Sequence, residues 1–322
     1  MENNESYIVF GPVPSRRLGK SLGINNIPPK ICTYSCVYCQ VGKTLKMEVG
    51  RSLFYDTKEV VKIVEEAVKK FQQKNEIIDY LSFVPDGEPT LDLELGEKIR
   101  QLKHLGIKIA VISNASLIWQ NEVREDLKEA DWVSLKIDAL TPSIWRKVDR
   151  PHRSLELDNI LEGIKAFSKE FRGSLNTETM LVRDINDKEE ELHKIARFIK
   201  EINVHRSYIS IPTRPPTVNW AKPPLPEKIT MAHHIFQEAK LPVECLLGFA
   251  VQSFGSTGDI ERDLLSITSV HPMRESEIRG FLEKAGENWQ IMESLLDKKE
   301  LILTEFGNQR FYIRNFSNIK NK

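Results

Sequence analysis

Apolar positions recur along this chain at two spacings that alternate for most of its length. Thr57–Lys74 sets Val60, Val64, Ala67, Val68 and Phe71 on one helical face. Asp187–Ile202 does the same with Leu192, Ile195, Ile199 and Ile202. Short apolar or alternating runs predict strands at Ser21–Ile27, Glu76–Val84, Ile107–Ile112, Asp131–Asp138, Leu175–Val182 and Val204–Ile211. Further helices are predicted over Asp92–Leu105, stopped by Gly106, and over Asn121–Lys128 and Leu155–Lys169. Six strands separated by helices imply a parallel α/β sheet with right-handed crossovers. Six units cannot close an eight-unit barrel, which leaves a partial barrel or an open doubly wound sheet. In both, ligands sit at the carboxyl ends of the strands.

The pattern then changes. Pro212, Pro215, Pro216, Pro223, Pro224 and Pro226 interrupt regular structure and predict an extended strap, followed by a helix over Glu227–Lys240. From about Thr257, helices are expected at Asp259–Thr268, Glu275–Lys284 and Glu287–Lys298. Leu301–Glu305, a Gly307-Asn308 turn and Arg310–Arg314 then form a hairpin. Three helices and a hairpin match a winged helix-turn-helix. The expected division is a core over 1–225, a strap and packing helix over 226–256, and a winged helix over 257–322. The third of those helices sets Glu287, Glu293 and Asp297 against Lys298 and Lys299. That is too acidic for a helix facing phosphates, so a protein-contact or substrate-docking role is expected over DNA binding.

Composition narrows the class. The 322 residues carry 46 basic and 46 acidic side chains, so nothing global draws the chain toward nucleic acid or an anionic membrane. The first residues, Met1–Ser6, are polar and do not resemble a signal peptide. No apolar stretch approaches the roughly 20 residues that span a bilayer. A soluble, cytoplasmic protein is the expectation. Of four cysteines, Cys32, Cys36 and Cys39 fall within eight residues, while Cys245 stands alone in the apolar segment Leu241–Ala250. So tight a cluster in a chain this long points to metal rather than disulfides.

The run Cys32-Thr-Tyr-Ser-Cys36-Val-Tyr-Cys39 has the spacing CxxxCxxC. Three thiolates on one loop can hold three irons of a cubane and leave the fourth open to substrate, where an electron carrier supplies four cysteines. A structural zinc site is the alternative, but it needs a fourth ligand, and the loop contains no histidine. The motif, with Tyr38 before the last cysteine, resembles the radical SAM superfamily. The segments Phe10–Gly19, Cys36–Gly42, Gly87–Leu91 and Arg150–His152 are similar to an uncharacterised branch of it, grouped with the wyosine tRNA-modifying synthases. The resemblance implies a [4Fe–4S] cluster on Cys32, Cys36 and Cys39 that reductively cleaves S-adenosylmethionine. It also implies a low-potential electron donor such as ferredoxin or flavodoxin, and oxygen-free chemistry on a substrate that includes tRNA among its candidates. The second cysteine set of the wyosine synthases has no counterpart before Cys32.

Other candidates stand at strand ends. Asp86-Gly87-Glu88 replaces the family's Gly-Gly-Glu, so Gly87 and Glu88 are expected to meet the methionine ammonium. Ser134, Lys136 and Asp138 alternate with apolar residues and are expected to face inward, which suits a partial barrel around a charged cofactor. Asn114 and Glu178 are further candidates for cofactor contact. Arg16, Arg17, Arg150, His152 and Arg214 could form a basic mouth for a substrate bearing phosphate or carboxylate. The remaining histidines, His271 among them, show no ligand spacing and are read as structural or exposed. The rival function is an iron–sulfur regulator acting through the winged helix.

Overall fold

The computed structural model describes residues 8–247 and 254–315. Met1–Ser6, the end of Leu241–Ala250 and the last seven residues of the predicted C-terminal module lie outside the described residues. All six predicted strands are present, within a larger sheet. Its strands are β1 (Val9–Ser15), β2 (Gly19–Ile24), β5 (Tyr80–Phe83), β6 (Lys108–Ser113), β7 (Trp132–Lys136), β8 (Ser174–Met180), β9 (Arg206–Ser210) and β10 (Val243–Leu246). They lie side by side in that order, antiparallel between β1 and β2 and parallel from β2 onward. The sheet is an open, curled partial barrel. A two-stranded piece, β3 (Ile31–Cys32) with β4 (Lys46–Met47), flanks the cysteine loop.

The crossovers are α1 (Thr57–Gln73), α2 (Leu95–Leu102), α3 (Asn121–Lys128), α4 (Pro142–Val148), α5 (Leu157–Glu170), α6 (Glu189–Glu201) and α7 (Pro226–Glu238). Helix α1 begins where Asp56 accepts a hydrogen bond from the Glu59 amide, an N-cap, and it buries the apolar stripe read from sequence. Alternation along the strands divides the sheet's two faces. Leu81, Phe83, Val133 and Leu135 join the large core under the helices, while Ser82, Lys136, Glu178 and Ser210 turn into a cavity. Ala110, Trp132, Tyr208 and Leu246 form a separate apolar cluster with Leu18, and Leu18 and Leu246 also line the cavity.

Three elements differ from expectation, each for a local reason. Pro12, Pro14 and Gly11 hide any strand period over Val9–Ser15, which the sequence leaves unassigned, and an edge strand with a bulge between Phe10 and Val13 accommodates them. Strand β10 is four residues long and half-exposed, so it lacks an apolar run. Helix α4 has seven residues, too few for a period to show. The six predicted units are therefore part of an eight-stranded sheet.

The C-terminal segment folds as α8 (Ile260–Val270), β11 (Met273–Arg274), α9 (Glu275–Ala285), α10 (Gln290–Asp297), β12 (Leu301–Phe306) and β13 (Gln309–Arg314). Its three strands pair in the order β11-β13-β12. Leu264, Ile267, Phe281, Leu295 and Tyr312 belong to its own apolar core, against which Val13 of β1 packs. The two parts are also tied by polar bonds. Ser266 donates to the Val9 carbonyl at 2.9 Å, the Gly255 amide to the Pro12 carbonyl at 2.9 Å, and Lys284 meets Glu76 at 3.1 Å.

Candidate functional site

The cysteine loop begins at β3 and is held from two sides. On its outer side the Ser35 and Val37 amides donate to the carbonyls of Asp149 and Val148, at 3.1 and 2.9 Å. The predicted strap contributes two more bonds: the Val218 amide to the Val37 carbonyl at 3.3 Å, and the Thr217 hydroxyl to the Cys39 carbonyl at 2.9 Å. Beneath it, Asn114 Nδ2 donates to the Thr33 hydroxyl at 2.8 Å and lies 3.6 Å from Cys32 Sγ. Cys32, Cys36 and Cys39 all line one cavity of about 430 Å³. Among the described residues no three His, Cys, Asp or Glu converge on a point for a single ion. A cubane asks for the opposite, thiolates spread over three irons, and the loop's curl around the cavity fits that group. Burial pushes all three thiols above their usual range, and the proximity of Asp149, 3.5 Å from Cys36 Sγ, adds to it for Cys36. Cys245 sits on β10 opposite Ile209 and does not line this cavity.

At the end of β5, Gly87 runs parallel to Ile31, so closely that a Cβ there would lie 2.0 Å from the Ile31 carbonyl oxygen. Asp86 lies in the cavity wall and pairs with Lys30 at 2.8 Å. Burial raises the Asp86 carboxyl to about 6 against the opposing pull of Lys30. Glu88 departs from expectation. It is 1% exposed and accepts from the Thr90 amide and hydroxyl, the Ser113 hydroxyl and the Asn114 amide, at 2.6 to 3.1 Å. Both its oxygens are consumed inside the protein, so its carboxylate braces the β5 and β6 ends and does not line the cavity. Asn114 likewise supports the cysteine loop and is not part of the cavity wall.

The facing wall is charged. Arg17 and Lys136 both meet Glu178, the latter at 3.5 Å, and Ser210 donates to the same carboxylate at 2.8 Å. Burial alone would raise Glu178, but Arg17 and Lys136 win and hold it below the usual carboxylate range. Tyr38 lines the cavity and donates its hydroxyl to Asp138. Asp138 lies behind it, accepting also from the Met180 amide at 2.6 Å, and is absent from the cavity wall that the strand alternation predicted for it.

Of the predicted basic mouth, the structure assembles only part. Arg16, Arg17 and Arg214 line the cavity, and Arg150 and His152 do not. The latter two lie on the outer side of the cysteine loop, where the His152 amide donates to the Thr33 carbonyl at 2.9 Å. The reason is the β-type bridge between Tyr34 and Pro151, which lays the Arg150–His152 backbone along the loop. Sequence reading missed Lys30, Met180, Glu277 and His271, all of which line the cavity. His271 and Glu277 come from the C-terminal segment, and only the docking of that segment on β1 brings them here. The pairing of Lys30 with Asp86 could have been suspected, since a charged residue replaces the family's glycine.

The sequence pattern that describes the Radical SAM superfamily matches residues 26–199. The chain is 46% identical over 310 residues to a UPF0026 protein of Methanocaldococcus jannaschii, covering 96% of each. It is 34% identical over 318 residues to a UPF0026 protein of Helicobacter pylori, covering 97% of this chain and 99% of that one. The solved structure of TYW1 with a lysine-pyruvate adduct bound superposes with a TM-score of 0.52 at 16% identity, over 68% of this chain and 73% of that one.

Proposed function

The chain belongs to the radical SAM superfamily, and from that premise we propose that Cys32, Cys36 and Cys39, which line the cavity, would ligate three irons of a [4Fe–4S] cluster and leave the fourth without a protein ligand. Members of the superfamily are enzymes that bind a [4Fe–4S] cluster and S-adenosylmethionine. Bound together, these supply one-electron cleavage of the sulfonium C–S bond and a 5′-deoxyadenosyl radical that takes a hydrogen from substrate. The observation that carries the reading is a single cavity lined by the three cysteines, by Asp86–Gly87 and by the Lys136–Glu178–Ser210 group.

Each wall then has a task. The Lys30–Asp86 pair beside Cys39 offers both charges to the zwitterionic methionine end, with Gly87 allowing close approach of its backbone. Glu88 acts from behind as a positioning residue. Glu178 and Ser210 face the ribose, and Lys136 keeps Glu178 ionised. Arg16 and Arg214 receive an anionic group of the substrate, a phosphate or a carboxylate. Burial, reinforced by Arg274 and Arg16 and opposed by Glu277, lowers Arg214 to about 10, which leaves it charged at neutral pH. A tRNA nucleotide satisfies this chemistry and agrees with the branch resemblance. A ferredoxin or flavodoxin supplies the electron.

Residues 1–225 form the catalytic core in this reading, 226–256 brace it, and 257–322 act as a docking module of winged-helix type that completes the cavity. An iron–sulfur regulator gains no support, because α10 carries Glu293 and Asp297 and no basic residue. The test is anaerobic incubation of iron-loaded protein with S-adenosylmethionine and a reductant. 5′-Deoxyadenosine is expected, and its absence from protein carrying a full cluster would overturn the reading. Among the described residues no helix is long and apolar enough to cross a membrane.

A further inference from the structure

Arg150 and His152, displaced from the cavity, belong to a surface of a different kind. The segment Val148–His152 lies directly on the outer side of the cysteine loop. The Ser35 amide also reaches the Arg150 carbonyl, at 3.2 Å, next in sequence to Cys36. The strap joins it there: Trp220 is 48% exposed, and the Arg150 guanidinium sits 5.7 Å from its ring centroid. Arg146, Lys147, Arg150, Arg153 and Lys222 are all exposed on these two segments. None of the five meets a carboxylate within 4.0 Å among the described residues. So many solvated cations around an exposed tryptophan, in a chain with no net charge, are a local concentration.

We infer that this face, Arg146–Arg153 with Trp220–Lys222, is where a small acidic one-electron carrier protein docks to reduce the cluster. The inference rests on the assignment of the cluster to Cys32, Cys36 and Cys39. A substrate must put an atom inside the cavity, and this face lies on the other side of the loop from it. An electron needs only a short path, and here Asp149, between the exposed Lys147 and Arg150, lies 3.5 Å from Cys36 Sγ. One electron leaves the carrier and arrives at the cluster, with no bond made or broken and no proton moved. The cations supply long-range attraction to an acidic partner, and an exposed tryptophan with an arginine over its ring has the composition of an interface centre.

The test uses full-length protein carrying its cluster, with flavodoxin as the acidic probe. Binding of oxidised flavodoxin is measured by calorimetry, and cluster reduction by reduced flavodoxin is followed by absorbance. In the wild type, affinity should fall about tenfold or more as salt shortens the Debye length from roughly 30 to 8 Å. The R146E/K147E/R153E variant should bind at least about tenfold more weakly at low salt and be reduced more slowly by the same factor. Photoreduced deazaflavin, which needs no docking, should reduce both proteins at one rate, and iron content should match. Equal affinity and equal rates with flavodoxin would overturn the inference. So would a variant that keeps flavodoxin but loses binding of tRNA, which would make this an RNA face. Absence of a cluster in both proteins overturns the premise, and the inference with it.

Discussion

Arg214, four residues beyond the end of β9, donates a hydrogen bond to Nε2 of His271, the residue that closes α8. The partial barrel and the C-terminal segment therefore share a buried polar contact inside the cavity wall. Burial first, and then the charges of Arg214 and Arg274, hold the His271 imidazole well below its usual range. It stays neutral, and its Nε2 can accept. Phe254 closes over the ring edge-to-face at 5.3 Å.

This sets a pH dependence. The unfolded chain takes up a proton on His271 near pH 6.5, and the folded protein refuses it. A depressed histidine contributes stability that is complete above about pH 6.5 and lost as pH falls below it. Unfolding by denaturant at pH 8 and at pH 5.5 should show that loss in the wild type. His271→Gln keeps an acceptor that does not titrate, and it should flatten the slope. Identical slopes in the two proteins would remove His271 as the cause.

The metal content discriminates the cysteines. Anaerobically reconstituted protein should hold about four irons per chain. Cys32→Ala, Cys36→Ala or Cys39→Ala should each abolish the cluster. Cys245→Ala should leave iron and its visible absorbance unchanged, because Cys245 sits on the edge strand β10 outside the cavity wall. Iron lost on changing Cys245 would show the ligand set to be wrong.

Glu88→Gln is expected to act through structure. Its amide nitrogen would face either the Asn114 amide or the Thr90 amide, a donor against a donor. Losing a hydrogen bond to a buried carboxylate costs about 1.5–3 kcal/mol. A fall in thermal midpoint should accompany any loss of S-adenosylmethionine affinity. Weakened affinity at unchanged stability would instead place Glu88 in contact with the ligand.

Removal of everything after Ser256 separates the tasks of the two parts. The bonds that hold the cysteine loop from outside come from Val148–His152 and Thr217–Val218, all before the cut. Iron and cleavage of S-adenosylmethionine without substrate should persist. Stability should fall, because Val13 loses its apolar partners and Arg214 loses His271. Turnover of the natural substrate should disappear with the wall built by Val270, His271 and Glu277. Loss of iron would mean that the bond from Gln40 to the Val270 carbonyl, 3.3 Å long, is needed to hold the loop.

The sequence by itself determined the elements and the cysteine loop. Helical faces such as that of α1 and buried strands such as β6 are written in periods of 3.6 and 2, which local side-chain direction enforces. CxxxCxxC is local too, since its three cysteines lie within one loop. The alternation in β7 correctly turned Lys136 inward, but it could not show that Tyr38 would cover Asp138. Tertiary structure alone decided which strand-end residues reach the cavity. Glu88 was withdrawn from it by donors on β6 and the turn after it, 25 and 26 residues away. Arg150 was laid behind the cysteine loop by a bridge from Tyr34 to Pro151. His271 was carried in from more than fifty residues beyond Arg214 by the docking of α8 on β1. Those contacts join segments distant in the chain, and periodicity, which reports only each residue's own face, holds no record of them.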